Sequence, residues 1–247
     1  MGLAINYTLS HPGKLDRSVV RELVDRAHRH AKKIGCTEVG PVKEDAEFRD
    51  RVARVVITHE WTSPSGRHMT SFVPVPPGGG WVFEVYPGDG SDSGLFGLCL
   101  YQRRYFHDGT DFDIPPPNGW GLRGTCTTQY AADHGWDNFL RCHKRILSLL
   151  RFWQELGVTV EVDDEGRYWD TGSEKDLRDT LGRYHRLIAV CAGASKDAAE
   201  NVGSGLRVDA PVFKRPDFER LEHEGWQEIK ADPAAYLTGS GGKDRQE

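Results

Sequence analysis

Gly121-Leu-Arg-Gly-Thr-Cys-Thr-Thr-Gln-Tyr130, followed by Trp136 to Leu156 and then Val158 to Trp169, is the stretch whose reading decides the fold. The first segment is threonine-rich and reads as a strand from Leu122 to Tyr130, with Ala131 to Gly135 as the turn. In the second, Trp136, Phe139, Leu140, Ile146, Leu147, Leu150 and Trp153 recur at helical spacing and Gly157 stops the run. The third reads as a hairpin: Val158 to Val162 as a strand, Asp163-Asp-Glu-Gly166 as its turn, Arg167-Tyr-Trp169 as the return. Strand, long helix and hairpin in succession place a helix on a sheet.

Outward from this centre the same two periods recur. Leu3 to Leu9 reads as a strand, and Leu15 to Ile34 as an amphipathic helix behind Asp16, with Val20, Leu23, Val24, Ala27, Ala31 and Ile34 at helical spacing. Val52 to Thr58, Met69 to Val75, Trp81 to Tyr86 and Leu95 to Tyr101 read as short strands. Arg103 to Asn118 carries no periodicity and reads as a long surface loop. Thr171 or Ser173 caps a helix that runs to about Glu200, and Asp217 to Glu224 reads as a short helix anchored by Phe218 or Trp226. Helices lie at both ends and strands between them, which predicts an α+β fold: a mainly antiparallel sheet of about six to eight strands with three amphipathic helices packed on it. Residues 1–200 are expected to form one domain, with 131–200 as a possible subdomain, 201–237 as an extension and 238–247 as a disordered tail.

Composition narrows the function classes. The chain has 247 residues and a formal charge of -5, which argues against a dedicated nucleic-acid surface. Met1-Gly-Leu-Ala-Ile5 lacks a basic leader segment, and no window has the apolar length of a membrane span. Cys36, Cys99, Cys126, Cys142 and Cys191 are odd in number and scattered through apolar segments, which predicts reduced thiols and a cytoplasmic location. They have no zinc spacing, and neither a phosphate loop nor a nucleophile elbow occurs, so no metal or cofactor is expected.

Among reactive side chains His143 is the most informative. It lies three and four residues from Phe139, Leu140, Ile146 and Leu147, so it points into the apolar stripe of its helix. A buried imidazole must be hydrogen-bonded, either as a core residue or as a general base at a pocket beside the preceding strand. Cys126 is the candidate nucleophile to pair with it, and Asp163, or a neighbour within 163–165, the candidate acid. Alternation places Gln129 and Cys126 on opposite faces of the strand, so Gln129 is a candidate contact residue instead. Arg103, Arg104 and Tyr105 open the long loop with charge and stacking surface, the mixture of an interaction edge.

Thr127-Thr-Gln-Tyr130, Phe139-Leu-Arg-Cys-His143 and Val162-Asp-Asp-Glu-Gly-Arg-Tyr-Trp169 resemble a pattern in bacterial proteins of unassigned function, over most of the chain from the first strand to about Lys196. The resemblance implies a bacterial, cytoplasmic origin. The expected function is a non-catalytic binding or regulatory protein with a protein partner. The alternative is a small hydrolase or transferase using His143 with Cys126 or an acidic residue of 163–165.

Overall fold

A computed structural model describes residues 3–11, 13–44, 55–63, 65–114, 119–202 and 208–233. The tail from 238 and the start of the strand expected at Val52 lie outside these residues. Contacts divide the chain after Asp164 into two compact units, residues 4–164 and residues 1–3 with 165–247.

The larger unit is built on one antiparallel sheet. Its strands are β1 (Ala4–His11), β2 (Glu38–Val39), β3 (Lys43–Glu44), β6 (Gly80–Tyr86), β7 (Gly94–Tyr101), β10 (Gly119–Thr127) and β11 (Thr159–Asp164). The order is β11-β1-β10-β7-β6-β2, with β3 also paired to β6. The expected α+β architecture is therefore observed. In β1, Ile5, Tyr7 and Leu9 are buried while Asn6, Thr8 and Ser10 are not, the alternation of a sheet covered on one side.

Two helices cover that side. α1 (Arg17–Lys33) buries Val20, Val24, Ala27 and Ala31, one stripe of a helix. Its His28 meets Phe83 edge-on, and an aromatic row continues through Phe96 to a stacked Tyr7. α2 (Trp136–Glu155) buries Phe139, Ile146, Leu147, Leu149, Leu150 and Trp153. Each such side chain contributes roughly 1.5–3 kcal/mol of burial. Tyr7 fits because Gly124 faces it across the β1–β10 ladder, and a methyl group there would fall on the Tyr7 ring.

Three local expectations are corrected. β10 ends at Thr127, and Gln129–His134 forms a 3₁₀ helix, because Thr128 turns to φ -102, ψ -8 and leaves the extended conformation. Gln129 is therefore buried in a helical turn and not carried on a strand. The hairpin expected at 158–169 does not form. β11 pairs with the distant β1, with Ile5 opposite Asp164, and Arg167 at φ 58 leads into a short helix, α3 (Tyr168–Thr171). The loop expected over Arg103 to Asn118 contains a hairpin of β8 (Arg104–His107) and β9 (Thr110–Asp113). Asp108 and Gly109 join them at φ 46 and φ 81, both left-handed, which is the Asp-Gly turn that suits hairpin twist.

β4 (Val55–Thr62) and β5 (His68–Val75) form a second separate hairpin. The inner face of β4–β5 carries Val55, Ile57, His59 and Trp61 opposite Val75, Val73, Ser71 and Met69. It packs on β8–β9, where His59 meets the Phe112 ring edge-on at 5.0 Å. β4 and β5 have 8 residues each and β8 and β9 have 4. At about 3.3 Å per residue the first hairpin is roughly 13 Å longer than the second.

In the second unit, α4 (Glu174–Val202) begins where the Asp176 amide donates to Ser173 Oγ at 3.2 Å, so Ser173 is its cap. α5 (Phe218–Ala231) packs on α4 through Leu221, Ala189 and Val212, with Phe213 and Phe218 at the margin. Phe218 is the anchor and Trp226 is exposed. Among the described residues no helix is long and apolar enough to cross a membrane.

Candidate functional site

Two features of the larger unit have the chemistry of a site: a buried polar line and an open groove. The buried line joins three elements. β11 enters the sheet with Asp164 beside Ile5, and Ile5 lies beside Cys126 on β10, so all three share the helix-covered row. Thr128 follows at the end of β10, and His143 descends from α2 onto it. His143 Nδ1 lies 3.0 Å from Thr128 Oγ1 and Nε2 lies 3.2 Å from Asp164 Oδ2.

An ionised carboxylate only accepts hydrogen bonds, so with Asp164 charged the Nε2–H donates to it. Nδ1 then accepts the Thr128 hydroxyl proton, or donates to that oxygen if the ring carries a second proton. Hydroxyl, imidazole and carboxylate in line are the parts of a nucleophile relay. Here solvent reaches neither Thr128 nor His143, and the Asp164 side chain is equally sealed. In this sealed arrangement no substrate reaches the hydroxyl, and a hydrogen-bonded polar row inside a core fixes the register of what it joins.

The remaining sequence candidates separate from this line. Cys126 is buried, its Sγ donates to the Asp92 carbonyl at 3.2 Å, and burial pushes its thiol pKa strongly up, away from the reactive thiolate. Cys142 is buried too, and burial raises its thiol pKa as well. Asp163 is exposed on β11, one position out of phase with His143, and its neighbour Asp164 makes the contact. Gln129 is buried beneath the 3₁₀ turn. Arg103 and Arg104 are exposed, and Arg104 is engaged by Asp111 and Asp113 on the outer face of its hairpin. Among the described residues no three His, Cys, Asp or Glu side chains gather to hold a metal ion.

Tyr105 belongs to the second feature. An open groove of about 620 Å³ lies between β4–β5 and β8–β9. His59, Trp61, Ser71 and Val73 line it from the inner face of β4–β5 and Tyr105, His107 and Asp108 from β8 and its turn, while Phe72 and Pro74, on the other face of β5, flank it. The inner face of β4–β5 grades from closed to open along its length: Val55 and Ile57 are buried, and Trp61 is 41% exposed. Phe72 and Phe106 are each 71% exposed. Of the sequence candidates only Tyr105 lines this groove. The others in it went unread because neither hairpin announces by local pattern which surface it will meet, although Asp108-Gly109 marks the shorter one.

No protein-family model, no curated protein and no solved structure matches the chain.

Proposed function

We propose that the chain is a non-catalytic binding protein that engages a protein partner through the groove between the β4–β5 and β8–β9 hairpins. One observation carries this reading: uncovered aromatic rings surround a concave surface, while the sealed His143 is absent from its lining. Exposed aromatics clustered around a groove are the usual anchor points of an interface. The net charge of -5 weighs against a nucleic-acid partner, and five cysteines outside any disulfide support a reducing compartment such as the cytoplasm. Selection of peptides on the intact protein from a display library tests this. Selected peptides should lose binding to Trp61→Ala and Phe72→Ser and keep it with Tyr130→Ser, an exposed aromatic outside the groove. Binders indifferent to Trp61 and Phe72 would contradict it.

A second reading, a small hydrolase or transferase using His143 with Asp164, draws support from the Thr128–His143–Asp164 line itself. It requires turnover of an ester, amide or phosphoester probe that disappears in His143→Ala while circular dichroism stays unchanged.

A further inference from the structure

We propose that the groove takes a methylated lysine side chain presented by the partner protein. This rests on the reading of the groove as the contact surface and adds the chemistry of what enters it.

The lining is electron-rich. Trp61 and Tyr105 supply aromatic rings with Phe72 at the edge, His59 and His107 supply imidazoles, and Asp108 supplies a carboxylate. Among the described lining residues there is no lysine or arginine. Ring faces carry the negative side of a quadrupole and attract cations, with Trp the strongest. The Asp108 side chain is 83% exposed, with Oδ2 3.4 Å from His107 Nε2, so its other lone pairs remain open to a ligand. It is held at the rim by the left-handed turn, φ 46. Arg104 is occupied on the opposite face by Asp111 and Asp113.

Methylation selects among cations. A primary ammonium is strongly hydrated, and ring faces do not replace that water. A trimethylated ammonium keeps the charge, sheds a weaker hydration shell, and presents methyl groups that also suit Val73. The aliphatic stem of the side chain then lies along the inner face of β4–β5. Among the described residues β4 and β5 pair only with each other, and an extended partner segment can run on an edge of that pair.

The test is a ¹H–¹⁵N NMR titration of the full chain with N-acetyl-Nζ-trimethyllysine methylamide. Its neutral analogue, with carbon in place of the ammonium nitrogen, and choline serve as comparisons. The trimethyllysine derivative should shift the Trp61 indole resonance and bind about tenfold tighter than the neutral analogue. Asp108→Asn, which tolerates the same turn, should remove most of that difference, and Trp61→Ala should abolish the ligand-induced shifts of the Tyr105 and His107 amides. Equal binding of the neutral analogue overturns the cation and leaves the groove as a contact surface. Choline binding as tightly as the lysine derivative overturns the protein-borne source. No shift at the groove with any of the three overturns the proposal, while the reading of a binding protein is decided separately by whether display-selected peptides require Trp61.

Discussion

His143 Nε2 lies 3.2 Å from Asp164 Oδ2, and solvent reaches neither side chain. Removing one member takes a buried partner from the other, so His143→Ala and Asp164→Ala should each cost about 3–5 kcal/mol. Their double variant should cost clearly less than the sum. Urea unfolding of the four proteins measures this, and strict additivity would show that the two groups do not act as a pair.

Thr128 is the third member, and its hydroxyl lies 3.0 Å from His143 Nδ1. Thr128→Val keeps the shape and removes the hydroxyl, leaving the imidazole nitrogen short of this partner, which should cost about 1–3 kcal/mol. Thr128→Ser keeps the hydroxyl and should recover most of that loss. Equal stability of the Val and Ser variants would contradict the bond.

Stability should fall with acid through two histidines of α1. Burial lowers the pKa of His28, whose Nε2–H donates to the Gly40 carbonyl at 3.0 Å, below its ordinary value of 6.5. Burial likewise lowers that of His30, stacked on Phe152 at 3.9 Å. A lowered histidine favours the neutral ring in the folded state, so its contribution is complete above pH 6.5 and is lost as the pH falls through the folded pKa. Urea midpoints should decline below pH 6.5, and the decline should be shallower in a His28→Asn/His30→Asn variant. A midpoint that rises on acidification of the wild type, with the variant showing the same rise, would contradict the assignment.

Gly124→Ala should cost about 1–3 kcal/mol, because the new methyl meets the ring of the buried Tyr7. That ring cannot simply withdraw: its hydroxyl donates to the Leu95 carbonyl at 2.7 Å and its face stacks on Phe96. With Tyr7→Leu in place, the added cost of Gly124→Ala should shrink. An undiminished cost would place the origin of the strain elsewhere than the ring.

The parts of the fold that were legible in the sequence are those whose period is local. β1 alternates over Ile5, Tyr7 and Leu9, and α1 and α2 repeat their apolar stripes, so each was readable within its own length. Pairing is not local. Asp163-Asp-Glu-Gly166 has the residues of a tight turn, but β11 finds its partner in β1 at the other end of the unit, and that register turns Asp164 inward and Asp163 outward. The hairpin β8–β9 is hidden because Arg104-Tyr-Phe-His107 sets two adjacent aromatics between Arg104 and His107 without an apolar rhythm, and only Asp108-Gly109 marks it. His143 was legible as an inward-facing imidazole. Its partners were not, since Thr128 is fixed by where β10 ends and Asp164 by a long-range register.

We propose that the polar line is core and the groove is the working surface. Deuterium exchange at the imidazole C2 position, followed by mass spectrometry over the ten histidines with and without a display-selected peptide, tests both halves at once. His143 should exchange far more slowly than the exposed His134, and His59 and His107 should exchange readily alone and slow when the peptide is bound. Exchange of His143 at the rate of His134, or a peptide that protects His143 and leaves His59 and His107 unchanged, would contradict it.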